Sequence, residues 1–196
     1  MGRKETLYLA YGSNMNQTQM AFRCPTAKVV GVGELKDYEL LFRGARRGAV
    51  ATIEPKEGST VPVLLWKIRQ ADEEALDIYE GYPRFYGKEM LQVEVDGKTM
   101  SAMGYVMTPG HEFGVPSDGY ANTILEGYEQ CGLDTRILEN AIGRAYQIAL
   151  ERKDHLRDRY MQKERMPEER MPKVCMPETC VEESKGQGGF RMDQTM

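Results

Sequence analysis

Two short stretches end regular elements on residues that can do chemistry. The first, "TLYLAYGSNMN" at 6–16, alternates strand-compatible residues and then stops on Gly12-Ser13-Asn14. Gly12 lacks a Cβ and permits a left-handed backbone or a close approach, while Ser13 and Asn14 hold turns through their own side chains. A strand ended this way presents backbone N–H groups, the donors that an oxyanion or a carboxylate needs. The second stretch, "ADEEALDIYEGYPRFY" at 71–86, ends a helical pattern on Glu80-Gly81 among Tyr79, Tyr82, Phe85 and Tyr86. The negative end of the helix dipole and an aromatic surrounding both favour a neutral carboxylic acid, so a buried Glu80 titrates above the usual carboxylate range. Each stretch alone also fits an ordinary strand-to-loop turn and a solvated helix end.

Other reactive side chains form weaker patterns. Cys175-x4-Cys180 has two of the ligands of a structural zinc site, but His155 lies twenty residues upstream and no histidine follows. His111-Glu112 lacks the second histidine of a helical zinc site. With two histidines in the chain, a Cys-His or Ser-His nucleophile has few candidate partners. The expectation is no metal and no cofactor. Gly31-Val32-Gly33 leads into more strand and lacks the third glycine of a dinucleotide fingerprint, so packing or a bulge explains it better. No lysine follows Gly12-Ser13-Asn14 at phosphate-loop spacing. Lys88 and Arg43 could attract a carboxylate but read as solvated strand-edge charges.

The elements that must position these residues alternate between strand and helix. Strand-like runs occupy 27–44, 48–55 and 60–68, each rich in β-branched or aromatic residues and bounded by Gly or Pro. Residues 88–97 and 98–107 flank Asp96-Gly97, a strong hairpin signal. A helix is expected over 71–81, with acidic residues in its first turn and Gly81 as a left-handed cap. Another is expected over 116–133 with Ser117 as its cap, followed by a longer helix capped by Asp134. Hairpin signals outnumber helix-linked crossovers. The expected fold is mixed α/β (α+β), a small, largely antiparallel β-barrel with helices packed outside.

Composition sets the boundaries. The chain has 196 residues, 41% hydrophobic, with a formal charge of −4. That suits one domain with an appendage and gives no general attraction for nucleic acid or an anionic membrane. No apolar run reaches the roughly 18 residues of a membrane span, and Met-Gly-Arg-Lys-Glu leads into a strand instead of a signal-peptide core. A cytoplasmic location is expected. Cys24, Cys131, Cys175 and Cys180 form no dense disulfide framework, and reduced thiols are the simpler assumption. Near residue 160 the composition shifts to charged residues, Gly and three Met-Pro pairs, at Met166-Pro167, Met171-Pro172 and Met176-Pro177. The domain is therefore placed at 1–159 and an extension at 160–196, disordered or docked on a partner; a monomer or a homodimer is expected, and in the latter the tail would contact the other subunit.

Tyr11-Gly12-Ser13-Asn14, then Glu80-Gly81 with Tyr86, then Pro116-Ser117-x-x-Tyr120 together resemble the gamma-glutamylcyclotransferase-like family in order and spacing. The similarity spans roughly Thr6 to Leu150, and "VLLWKI" followed by "LDIYEGYPRFY" is similar to the family's strand, helix and catalytic glutamate. Met15, where a branched apolar residue is frequent, and Pro62, where glycine is common, depart from the pattern. Pro62 points to an edge or bulge.

The resemblance implies a mixed barrel whose cavity holds a gamma-glutamyl group, with the Gly12-Ser13-Asn14 loop on one wall and Glu80 on the other. It implies a transferase or lyase in which the substrate α-amine attacks its own γ-carbonyl, forming 5-oxoproline and releasing an amine. Glu80 would be the acid–base residue, and Tyr11, Gly12, Ser13, Asn14, Tyr86 and Tyr120 would contact the small-molecule substrate. The leaving amine stays open among glutathione, gamma-glutamyl amino acids, gamma-glutamyl-ε-lysine and a biosynthetic intermediate. The competing classes are a barrel that binds a small ligand without turnover and an interaction protein acting through its tail.

Overall fold

In a computed structural model, which describes residues 5–45 and 48–164, the first run forms strand β1, Glu5–Ala10. It stops where expected. A short 3₁₀ turn, Ser13–Met15, follows, and then helix α1, Gln17–Arg23. The Asn16 side chain caps α1 by accepting from the Gln19 N–H. No helix is expected here from the sequence; Asn16-x-x-Gln19, a polar pair at capping spacing, is the local signal that marks it.

Strand β2, Lys28–Gly44, corresponds to the first of the middle runs. The runs at 48–55 and 60–68 join into one strand, β3, Val50–Arg69, in place of two. Between the pairs Lys36↔Thr60 and Tyr38↔Pro55 the register shifts, and the residues around Gly58 bulge out. Asp37 opposite has φ 60 and accepts the Gly58 N–H at 2.8 Å. The polar Pro-Lys-Glu-Gly stretch reads as a break locally, but a bulge lets the ladder continue past it. A second shift, between Val29 and Gly31, accounts for the Gly-Val-Gly segment. Pro62 pairs with Glu34 of β2, beyond the end of the β1 ladder at Ala10↔Leu64, so its missing N–H leaves no β1 partner unsatisfied.

Helix α2, Gln70–Glu80, ends on Gly81 in the left-handed region at φ 65. Strands β4, Tyr86–Val95, and β5, Lys98–Met107, form the hairpin around Asp96-Gly97, both with positive φ. The dipeptide β6, Glu112–Phe113, pairs with the end of β2 and is too short to carry a strand pattern in the sequence. Helix α3, Asp118–Gln130, is capped by Ser117, and α4 runs Arg136–Glu164 with its first N–H bonded to Asp134.

The strands close into a five-stranded barrel in the order β3-β1-β5-β4-β2, returning to β3, with β6 beside β2. β1 and β5 run parallel, while the other pairs are antiparallel. The core is one cluster inside the barrel and under the helices, including Leu9, Leu35, Phe42, Ile53, Leu65, Ile68 and Tyr128. β3 is buried along nearly the whole of Val61–Trp66 because α2 and the 3₁₀ turn cover its outer face.

The chain divides into two compact units, Met1–Asp158 and Arg159–Met196, and the second is described only to the end of α4. The Met-Pro pairs, Cys175 and Cys180 lie outside the described residues. Cys24 and Cys131 are free thiols. Among the described residues no helix is long and apolar enough to cross a membrane.

Candidate active site

The end of β1 and the end of α2 meet at a cavity of about 220 Å³. Its lining includes Tyr11, Gly12, Ser13, Asn14, Glu80, Tyr86 and Tyr120, every residue singled out for the site from sequence. Tyr8, Tyr79, Phe85 and Tyr105 complete the aromatic wall with Val50 and Ala51. Tyr8 and Tyr105 are not among the residues the sequence points to, because nothing local separates a cavity-lining tyrosine from a packed one within a strand. Their rings pack edge to face at 5.8 Å. Tyr82, grouped with Glu80 on sequence proximity, lies outside the cavity, exposed beneath the Lys88 ammonium.

Gly12 earns its place through close approach. Its φ of −116 is not left-handed, so that possibility falls away, but a Cβ there would lie 3.2 Å from Ala51 Cβ and 3.4 Å from the Tyr120 hydroxyl. The bonds of the 3₁₀ turn are donated by Met15 and Asn16, to Gly12 and Ser13 carbonyls. The turn itself therefore leaves the N–H groups of Ser13 and Asn14 without a partner in it.

The loop is held from behind. Trp66 Nε1 donates to the Asn14 carbonyl at 3.1 Å. From α3, the Glu126 carboxylate and the Thr123 carbonyl accept from the Asn16 amide at 2.9 and 3.2 Å, and Gln130 Oε1 accepts the Gln17 N–H at 2.7 Å. Gly127 permits that closeness, since a Cβ there would lie 2.7 Å from the Asn16 nitrogen and 2.8 Å from the Met15 carbonyl carbon.

Asn14 crosses the cavity. Its Nδ2 donates to Glu80 Oε1 and to the Tyr8 hydroxyl, each at 2.8 Å, and its Oδ1 accepts from Arg23 Nη1. Arg23, the last residue of α1, stacks its guanidinium over the Tyr79 ring at 3.4 Å. Burial pushes the Glu80 carboxyl up to about 7, and the Arg23 charge and the Asn14 hydrogen bond act in the opposite direction. A half-ionised carboxyl near neutral pH can both take and give a proton.

The tyrosine hydroxyls divide by partner. Tyr86 donates to the Ala51 carbonyl, whereas Tyr120 accepts the Ala51 N–H at 3.2 Å and keeps its own proton for a further bond. Tyr11 donates to the Tyr105 carbonyl at 2.6 Å. Lys88 and Arg43 are occupied elsewhere, Lys88 with Glu73 and Asp77, Arg43 with Glu54. Among the described residues, no group of three His, Cys, Asp or Glu side chains is placed to hold a metal ion.

The family model described as "Gamma-glutamyl cyclotransferase, AIG2-like" matches residues 8–123. The chain is 30% identical over 136 residues to gamma-glutamylcyclotransferase of Homo sapiens and likewise to that of Bos taurus. Each match covers 65% of this chain and 72% of the relative. A solved structure titled "Gamma-glutamyl cyclotransferase" superposes with a TM-score of 0.65 at 28% identity, over 70% of this chain and 86% of that one.

Proposed function

The chain belongs to the gamma-glutamyl cyclotransferase, AIG2-like family and is an enzyme of that type, and from this premise we propose that it converts a gamma-glutamyl amine or amino acid to 5-oxoproline and a free amine, with Glu80 as the acid–base residue. The observation that carries the reading is the Glu80 carboxyl, bonded to Asn14 at 2.8 Å and held near neutral titration inside an aromatic cavity.

The reaction moves two protons from the α-nitrogen to the departing amine. A free α-amine has a pKa near ~8, so at neutral pH it is mostly ammonium and cannot attack. Ionised Glu80 removes a proton from it. The nitrogen then bonds to the γ-carbonyl carbon, closing a five-membered ring, and the carbonyl oxygen takes up negative charge. When the C–N bond to the leaving group breaks, the protonated Glu80 gives its proton to the departing nitrogen; the regenerated carboxylate takes the second proton from the ring nitrogen, leaving the neutral lactam, and passes it to the released amine. No water is consumed.

The N–H groups of Ser13 and Asn14, which have no partner within the turn, suit the developing oxyanion or the substrate α-carboxylate; losing one oxyanion donor typically costs about 3–4 kcal/mol. Tyr120, with a proton to spare, suits a substrate oxygen. Burial raises the phenols of Tyr8, Tyr11, Tyr86, Tyr105 and Tyr120, so these stay neutral beside a carboxyl that titrates near neutrality.

The test is 5-oxoproline release from gamma-glutamyl amino acids, gamma-glutamylamines and glutathione by wild type and Glu80→Gln, both verified as folded. Release by wild type with a loss of about 100-fold or more in the variant is expected. An active Glu80→Gln protein would remove Glu80 from the acid–base role, and a silent wild type across the panel would overturn the cyclotransfer reading.

A further inference from the structure

An asparagine amide carries an acceptor at one end and donors at the other, so its orientation must be set by neighbours of opposite kind. At Asn14 both ends are engaged: Nδ2 faces Glu80 and Tyr8, and Oδ1 faces Arg23. Turned by half a rotation, Oδ1 would meet the Glu80 carboxylate and Nδ2 would meet a guanidinium, two repulsive contacts in place of two attractive ones. Of the neighbours, Arg23 alone donates to Asn14 Oδ1 among the described residues. Its guanidinium is held in turn by the Tyr79 ring and by Gln19 Oε1 at 3.3 Å.

We propose that Arg23 is a positioning residue of this site, fixing the direction of the Asn14 amide and supplying the positive charge that faces the Glu80 carboxylate. The proposal rests on the reading of Glu80 as proton carrier. Beside Tyr79 of α2, whose ring lies under Arg23, the titratable groups facing Glu80 are the phenols of Tyr8 from β1, Tyr11 after it, Tyr86 from β4, Tyr105 from β5 and Tyr120 from α3. Among these last five, each is raised by burial and carries no charge near neutrality. Asp77, one turn back on α2, points instead to Lys88 and to the Tyr105 hydroxyl. Arg23 is therefore the charge that opposes the desolvation of Glu80. The fork also serves Asn14 through Nη1 and Gln19 through Nη2 while its plane lies over the Tyr79 ring, a geometry that the compact point charge of an ammonium does not reproduce.

The experiment follows Glu80 directly. In the full chain labelled with carboxyl-¹³C glutamate, the Glu80 signal is assigned by its loss in Glu80→Gln and titrated in wild type, Arg23→Gln and Arg23→Lys, alongside the pH dependence of kcat/KM for 5-oxoproline release. Arg23→Gln is expected to move the Glu80 titration to higher pH by about one pH unit or more, and the acid limb of kcat/KM with it. Arg23→Lys, which restores charge without the fork, is expected to bring the titration back toward wild type while kcat stays reduced. A Glu80 titration unchanged in Arg23→Gln overturns the proposal. A titration that moves while the kcat/KM limb stays in place keeps the charge relation and removes Glu80 as the proton carrier, so the two failures are separable. Because a structural defect would lower activity evenly across pH, only an electrostatic role moves the limb.

Discussion

Asn14 and Glu80, separated by 66 residues in the chain, are joined across the cavity by a 2.8 Å hydrogen bond. One sits in the turn that ends β1 and the other on the last turn of α2, so the bond ties the loop wall to the carboxyl wall. It favours the ionised form of a carboxyl that burial drives toward neutrality. The site's titration is therefore a balance between solvent exclusion and two polar neighbours.

Asn14→Ala removes that bond together with the donor to Tyr8 and the acceptor for Arg23. Hydrogen bonds to charged groups contribute about 1.5–3 kcal/mol, so kcat/KM at pH 7 is expected to fall by roughly 10- to 100-fold. The acid limb should also move to higher pH, because desolvation of Glu80 is then less opposed. A pH profile of 5-oxoproline release reads both, and an unmoved limb would contradict the bond's role.

The same carboxyl makes stability depend on pH. Folded Glu80 titrates at about 7 against a usual value of 4.5, so between those values the native state binds more protons than the unfolded chain. Stability is then lost as pH rises from about 4.5 through 7 and is level above, at a cost on the order of 3 kcal/mol. Glu80→Gln is expected to be more stable than wild type at pH 8 and to differ little at pH 4.5. Urea melts at the two pH values decide, and an equal difference at both would show that Glu80 is not desolvated as the fold implies.

Gly127→Ala tests how the loop is held. The added Cβ would press on the Asn16 nitrogen and the Met15 carbonyl carbon, both backbone, so α3 or the loop must shift. Overpacking of this kind costs about 1–3 kcal/mol. Thermal melts should show the loss, and kcat/KM should fall further than stability alone explains because the Ser13 and Asn14 N–H groups move with the loop. Full activity in the folded variant would mean that the loop position is not critical.

Tyr86→Phe and Tyr120→Phe are expected to differ. Removing the Tyr120 hydroxyl strands the Ala51 N–H, costing about 1–3 kcal/mol of stability, and also deletes the proton free to reach substrate. Removing the Tyr86 hydroxyl takes one bond from the Ala51 carbonyl and leaves that proton in place. A KM increase larger in Tyr120→Phe than in Tyr86→Phe is the expected kinetic result, and the reverse order would reassign the substrate contact.

What the sequence determined by itself is local. The stop after Ala10, the Ser117 cap, the left-handed Gly81 after Glu80 and the Asp96-Gly97 turn each depend on backbone geometry within a few residues, and each is found where those residues stand. The family motifs extended that reading to the residues now lining one cavity, while α1 was not anticipated although Asn16-x-x-Gln19 stands at capping spacing. Tertiary structure decided the rest. Whether 48–55 and 60–68 were two strands or one depended on β2 as a partner long enough to carry a bulge. That Tyr8 and Tyr105 face Glu80 while nearby Tyr82 does not depends on how α2 lies across a closed barrel. The Arg23, Asn14 and Glu80 chain joins three elements through side chains distant in sequence, and burial of the carboxyl, the cause of its titration near neutrality, comes into being only when those elements meet.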